Sequence, residues 1–266
     1  MTPTDPVTDG GESPSIASET FEVTLRSTPR RWETTIPKAL SEYHGFEHGD
    51  HVAFTPVADG SEIEFDLAPS DEPDRANVIT ILKPRDQTRL RWPKVLADER
   101  EFWRLEQEGE AAVEISTTGE KQLRLATWPP TRPWSFGGEP IGEVRSVKHL
   151  QTQMAGPERK HKTHRLELPV EFTEFYDRAS SGESVPVAVR LTLNDGQLAL
   201  ALDFDIEDAE KDRAHIRKMW AQEPNVAADT LQLRVVLAKA FVDALRLDDA
   251  ELRLTPYKNH ILVERA

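Results

Sequence analysis

The chain has 266 residues, no cysteine and a formal net charge of −14, from 47 Asp and Glu against 33 Lys and Arg. The missing thiols exclude disulfides and thiolate metal sites, and the acid excess argues against indiscriminate nucleic-acid binding, so only a local concentration of cations would serve that purpose. No apolar run approaches a membrane span, and the N-terminus lacks the basic-then-apolar order of a secretory signal, so a soluble cytoplasmic protein is expected.

Residues 1–19 are rich in Ser, Thr, Pro, Gly and acid and read as a disordered tail. The first structured unit, 20–68, opens with Phe21-Glu22-Val23-Thr24-Leu25, which alternates as a half-buried strand does. Ser27–Arg31 interrupts it, and Thr34-Thr35-Ile36 resumes β-branched strand chemistry. Pro37 suits the entrance of a helix, where a missing N–H costs nothing. Ala39, Leu40 and Tyr43 then fall at helical spacing and are expected to form its apolar face. Gly45 ends the helix, and Gly49-Asp50 turns the chain into His51-Val52-Ala53-Phe54. Asp59-Gly60 is a hairpin turn before the alternating Glu62–Leu67.

The same order recurs downstream. A short acidic linker with Pro69 and Pro73 leads to a second unit, 77–127. Its strands are Val78–Leu82 and Thr88–Trp92, followed by a helix from Pro93 through Phe102 and Trp103. Ala112–Ile115 and Gln122–Leu125 close it, joined by Thr118-Gly119. Residues 128–140, WPPTRPWSFGGEP, form the most proline- and glycine-rich run and read as the main domain boundary. The third unit, 141–205, has strands Val144–Leu150 and His164–Leu168 and a helix around Phe172–Tyr176. It ends in the hairpin Val185–Leu193 and Leu198–Phe204, turned by Asn194-Asp195-Gly196. Residues 206–224 start acidic and end basic, the polarity a helix dipole favours. Ile216, Met219 and Trp220 would give this linker helix an apolar stripe. The fourth unit, 225–266, is degenerate: Ala238 replaces the proline and a first strand is barely visible, but Ala250–Leu254 and His260–Val263 make a final hairpin. Four anchors mark the repeat: Ile36-Pro37-Lys38, Trp92-Pro93-Lys94, Leu168-Pro169-Val170 and Leu237-Ala238-Lys239.

The run Thr35-Ile36-Pro37-Lys38, a short helix, Gly45-Phe46, Gly49-Asp50, a strand, Asp59-Gly60 and a last strand resembles the AbrB/SpoVT/MazE-like swapped-hairpin family of prokaryotic DNA-binding proteins. The resemblance covers about 45 residues of the first unit and is weaker in the others. It implies a β-β-α-β-β unit that cannot close its own core and must interleave with a second unit. In the family that partner is another chain; here the next unit is expected to take its place. The expected fold is thus β-rich α+β, two tandem swapped-hairpin (cradle-loop) barrels, each built from two repeats. The chain would be a monomer or a homodimer.

Cations concentrate in the first two strands of each unit and their connection. The first unit carries Arg26, Arg30, Arg31 and Lys38, and the second Lys83, Arg85, Arg89, Arg91 and Lys94. The third has Arg145, Lys148, Arg159, Lys160, Lys162 and Arg165 with three histidines among them, and the fourth little beyond Arg234 and Lys239. Arg89 and Arg91 share one strand face, opposite Leu90 and Trp92. Within the resemblance these segments form the DNA-facing surface, where cations neutralise phosphates. The DNA-binding candidates are therefore Arg26, Arg30, Arg31, Lys38, Lys83, Arg85, Arg89, Arg91, Lys94, Lys160, Lys162 and Arg165. The competing reading is that such charges blunt strand edges or offset an acidic surface. Arginine outnumbers lysine by 22 to 11, a balance similar to that of proteins folded in brine.

Other constellations carry less. His44, His48 and His51 have metal-like spacing but coincide with the helix end and the Gly-Asp turn, so a structural role is expected. His161 and His164 sit among cations that disfavour a divalent ion, and Asp203, Asp205, Glu207 and Asp208 read as a solvated helix start. No phosphate-cradling glycine loop, nucleophile elbow or His-Glu-x-x-His is present, so neither catalysis nor a cofactor or metal is expected. Two functions remain: a transcriptional regulator binding duplex DNA, or a protein-interaction or assembly adaptor on the same barrel. The adaptor class includes an antitoxin-like protein that takes a toxin as partner.

Overall fold

The computed structural model describes residues 19–28, 31–59, 62–93, 110–127, 138–147, 150–155, 161–169, 171–172, 184–206, 216–222 and 232–266. Seventeen strands and two α-helices lie among them. The first half holds β1 (Thr20–Thr28), β2 (Arg31–Ile36), α1 (Lys38–His44), β3 (His51–Asp59), β4 (Glu62–Pro69), β5 (Val78–Thr80), β6 (Thr88–Trp92), β7 (Glu110–Gly119) and β8 (Gln122–Thr127). The second holds β9 (Arg145–Val147), β10 (Gln151–Ala155), β11 (His161–Leu168), β12 (Val185–Asn194), β13 (Gln197–Asp203), β14 (Ile216–Gln222), β15 (Gln232–Leu237), α2 (Lys239–Leu245), β16 (Leu252–Pro256) and β17 (His260–Arg265).

Each half is one curled, near-barrel antiparallel sheet. The first runs β5-β3-β4-β8-β7-β1-β2-β6 and the second β10-β11-β15-β14-β12-β13-β17-β16-β9. In the first, the ends approach each other: Leu82 and Arg89 exchange backbone hydrogen bonds of 3.1 and 2.8 Å just beyond β5 and within β6. In the second, the two end strands, β9 and β10, are neighbours in sequence. Taken as one interrupted strand, β9 and β10 give the second sheet the same neighbour relations as the first.

The register agrees as well. Thr34 faces Leu90, and each lies three residues before its proline, Pro37 or Pro93. Leu166 faces Val235, and each lies three residues before Pro169 or Ala238. A one-residue slip would turn every side chain of a strand to the other face, so matching registers fix matching surfaces. Alternation along β6 buries Thr88, Leu90 and Trp92 and turns Arg89 and Arg91 outward. The Trp92 indole N–H donates to Thr34 Oγ1 at 3.1 Å, and its ring lies 5.9 and 6.2 Å from those of Phe54 and Phe65, both buried. Such aromatic packing adds roughly 0.5–1.5 kcal/mol per pair beyond area burial.

Helix α1 begins directly after Pro37 and ends at Gly45, whose φ of +60° suits a left-handed cap. Its buried stripe is Leu40, Ser41 and His44, while Tyr43 is exposed and Ala39 also faces solvent. This corrects the expected Ala39-Leu40-Tyr43 face by a fraction of a turn. The stripe that won is one whose polar members find partners on the next unit's strands: Ser41 with Thr88, and His44 Nε2 with Thr117 Oγ1 at 3.2 Å. Helix α2 occupies the same place in the fourth unit and buries Ala240 through Ala244.

The expected linker helix over 206–224 is not formed where the structure describes it, because Ile216–Gln222 is strand β14. It fills the gap between β12 and β15, pairing Met219 with both Val185 and Val235. Two open strand edges outweigh a local charge order that suits a helix dipole, since tertiary pairing overrides weak propensity. The barely visible first strand of the fourth unit is this segment. Of the expected strand Val144–Leu150, Arg145–Val147 is strand β9, while β10 begins just beyond it at Gln151; the β7–β8 turn sits at Glu120-Lys121 rather than Thr118-Gly119, with a bulge ahead of it. Lys121 takes φ +53° there. Asn194-Asp195-Gly196 does turn its hairpin, with Asp195 and Gly196 both at positive φ, as a type I′ turn requires. Residues 1–18 of the expected tail, the expected helix through Trp103 beyond its first residue, Pro93, and most of the 128–140 boundary lie outside the described residues. Of the helix expected around Phe172–Tyr176, only Glu171 and Phe172 are described.

The halves meet where the segment before β5 touches α2. Ala76 N–H donates to Asp243 Oδ2 at 2.6 Å, and Lys239 Nζ donates to Asp243 Oδ2 at 2.8 Å and to the Asp74 carbonyl at 3.3 Å. No helix among the described residues is long and apolar enough to cross a membrane.

Candidate nucleic-acid interface

The pair β2–β6, at one end of the first sheet, positions the strongest candidates. With Trp32, Thr34 and Ile36 buried, Glu33 and Thr35 point outward from β2 beside Arg89 and Arg91 of β6. Register sets Glu33 directly opposite Arg91 on one side and opposite Arg26 of β1 on the other. A row Arg26–Glu33–Arg91 thus crosses three strands, at the roughly 5 Å spacing over which cross-strand charges interact. Glu33 Oε1 accepts from Arg91 Nε at 3.1 Å, and Oε2 lies 3.7 Å from Arg89 Nη1. Arg89 Nη2 also donates to Gln87 Oε1 at 2.6 Å. The Arg89 and Arg91 side chains are 37% and 39% exposed and Glu33 17%, so the cations rim a recessed carboxylate. Arg26, Arg89 and Arg91 thus surround Glu33, with Glu110 of β7 in register on the far side of Arg26.

The connection between β5 and β6 presents a further cation. Pro84–Asp86 forms a 3-10 turn in which Arg85 and Asp86 hold φ of 53° and 65°, and Arg85 is exposed. Two successive non-glycine residues in the left-handed region are uncommon. Lys83 is half-buried; its backbone N–H donates to His48 Nδ1 at 3.2 Å. Lys38, on α1, faces Glu42 at 3.5 Å in a solvated pair. Arg26, Lys83, Arg85, Arg89 and Arg91 therefore belong to strands β1 and β6 and the β5–β6 connection, and Lys38 begins the helix that follows β2.

In the second sheet the equivalent row reads Gln151–Arg165–Val236. Arg165 is half-buried, and its Nε has no hydrogen-bond partner among the described residues. The ion pair here is displaced by one row: Arg234 Nε lies 3.0 Å from Glu167 Oε1, and Gln151 Nε2 donates to Glu167 Oε2 at 2.6 Å. Arg31 and Lys162 are described only as backbone of β2 and β11, and Arg30, Lys94 and Lys160 lie outside the described residues.

The three closely spaced histidines do not converge. His44 is buried against Thr117, and burial pushes its pKa below the usual histidine range. His48 accepts from Lys83, and His51 Nδ1 lies 3.3 Å from Thr80 Oγ1. Among the described residues no three His, Asp or Glu side chains are placed to hold a metal ion.

One cluster escaped the sequence reading. Asp203 was expected in a solvated helix start, but it is buried at the end of β13, 3.0 Å from the equally buried Arg190 Nε. It also accepts the Asp205 N–H at 3.0 Å. Burial pushes its carboxyl above the usual carboxylate range, opposed by the Asp205 N–H and the Arg190 guanidinium. Its register partner His260 is buried and stacked on Tyr257 at 4.4 Å; desolvation pushes its pKa down to about 4. The available signal was that Asp203 continues the alternation of Leu198–Asp203, with the small Ala199 and Ala201 on its own face.

Comparison of the chain with family models, with curated proteins and with solved structures finds no match.

Proposed function

We propose that this protein is a duplex-DNA-binding transcriptional regulator of AbrB/SpoVT type. Two single-chain, pseudo-dimeric swapped-hairpin barrels replace the pair of chains that the family uses. The observation that carries the DNA reading is the set of cations on β1, β6 and the β5–β6 connection. Arg26, Arg89 and Arg91 share one outward surface with Arg85 on the adjoining connection, and that surface belongs to the strands expected to meet DNA. Support for the swapped arrangement is that β1 pairs with β7 and β3 with β5, so each unit of the first half completes the other's sheet. In the second half β12 pairs with β14 and β16 with β9.

The test is fluorescence anisotropy of labelled random-sequence duplex DNA across a salt series that includes the high concentrations an acidic chain tolerates. Log affinity is expected to fall linearly with log salt, with a slope of several. The double variant Arg89→Gln/Arg91→Gln is expected to reduce that slope by about two while leaving the fold intact. Absence of binding at every salt where the protein is folded would overturn the reading. The adaptor reading then takes its place, and one observation already favours it for the second half: the row Gln151–Arg165–Val236 keeps a single cation.

A further inference from the structure

We infer that Glu33 is an internal competitor for DNA phosphates: its carboxylate occupies the guanidinium groups of Arg89 and Arg91 and thereby sets both the affinity and the salt dependence of the first sheet. The inference rests on the DNA-binding reading above. The geometry resembles a bound anion more than an ordinary surface pair. One carboxylate oxygen lies 3.1 Å from Arg91 Nε and the other 3.7 Å from Arg89 Nη1, so each oxygen engages a different arginine. Two anionic oxygens shared between guanidinium groups is also how a phosphodiester would present its non-bridging oxygens, because the arginine fork suits carboxylate and phosphate alike. Register adds Arg26 on the third side.

Depth decides how the competition runs. The carboxylate is recessed on β2, and the arginines remain more than twice as exposed. An incoming phosphate therefore meets the guanidinium groups from outside while Glu33 draws on them from beneath. The phosphate must break or share these pairs and must approach a fixed negative charge. Weak, non-specific polyanion contacts lose most from this opposition. A site with further contacts through the Arg85 connection keeps enough affinity to displace the carboxylate.

The opposite role would be positioning: Glu33 orders the arginines and so favours binding. The two roles differ in sign. Glu33→Gln keeps a carbonyl oxygen for Arg91 and removes only the charge, so folding is retained. Glu120→Gln, an exposed position in the β7–β8 turn, removes the same charge elsewhere and serves as the matched control. Anisotropy with random-sequence duplex DNA is expected to show Glu33→Gln binding roughly three- to tenfold more tightly at about 0.1 M salt, with a slope steeper by about one. Glu120→Gln should match the unsubstituted protein. Weaker binding by Glu33→Gln assigns it the positioning role and overturns the inference, as does equality with Glu120→Gln; in either case the DNA reading stands. If neither variant nor the unsubstituted protein binds, the inference falls together with that reading.

Discussion

Helices α1 and α2 open with the same pair in opposite surroundings. Each follows the second strand of its unit, each has seven residues, and each sets a lysine four residues before an acid: Lys38 with Glu42, and Lys239 with Asp243. Lys38 and Glu42 are 77% and 68% exposed and 3.5 Å apart, whereas Lys239 and Asp243 are 35% and 5% exposed and 2.8 Å apart. A solvated pair of this kind contributes only tenths of a kcal/mol. The buried one also accepts the Ala76 N–H from the other half, so it fixes how the halves dock. Identical local sequence logic thus has a different value according to what covers it. The outer strand faces repeat the contrast. Arg124 and Asp66 form a bidentate pair about one-third exposed, while Arg190 and Asp203 are all but sealed from solvent.

That last contrast gives the largest expected effect. Asp203→Ala would remove the buried carboxylate beside the Arg190 guanidinium and the acceptor of the Asp205 N–H, a loss of about 3–5 kcal/mol. Asp66→Ala is expected to cost about 1 kcal/mol or less, because water reaches Arg124. Chemical denaturation followed by tryptophan fluorescence would separate the two. Equal losses would mean that the halves do not differ in how their outer faces are buried.

A smaller effect is expected from acid. The folded-state pKa of His260, about 4, lies below the ordinary 6.5 of a histidine in the unfolded chain. The unfolded chain therefore binds the proton first. Stability is full above about pH 6.5, declines as pH falls toward 4 and levels off below it. The decline attributable to His260 is at most on the order of 3 kcal/mol. The His260→Gln variant should lack that component, and the difference between its denaturation midpoints and those of the unsubstituted protein over this range isolates it from the carboxylates. A difference that stays constant from pH 7 to 4 would rule out the buried, neutral imidazole as the source.

Much of this architecture was legible because strand alternation and turn residues act locally. Thr88–Trp92 could be read to the residue, since Leu90 and Trp92 need one face and Arg89 and Arg91 the other. The hairpin at Asn194-Asp195-Gly196 was equally clear, because few residues accept positive φ. What stayed hidden depends on partners remote in sequence. Nothing within Ile216–Gln222 announces the two strand edges it joins. Glu33 reads as one polar residue of an alternating strand until register brings Arg26 and Arg91 to its sides. For Asp203, an acid-rich run suggested solvent, and only the covered face of β13 reverses the inference.

The helix comparison itself can be broken most directly at Asp243. Replacing it with alanine removes the acceptor for the Ala76 N–H and the partner of Lys239, whose Nζ still holds the Asp74 carbonyl. A buried backbone N–H without its acceptor costs roughly 1–3 kcal/mol. Glu42→Ala, the same position on α1, removes one exposed partner and should change stability by less than about 0.5 kcal/mol. Because Asp243 acts between the halves, its loss should do more than lower one midpoint. It should uncouple the two sheets, turning one unfolding transition into two with different denaturant dependence. Hydrogen exchange at Ala76 would report the same event locally, rising in Asp243→Ala and unchanged in Glu42→Ala. If both variants leave a single transition and equal protection at Ala76, the junction is held by the packing of α2 on β3 and the ion pair only decorates it.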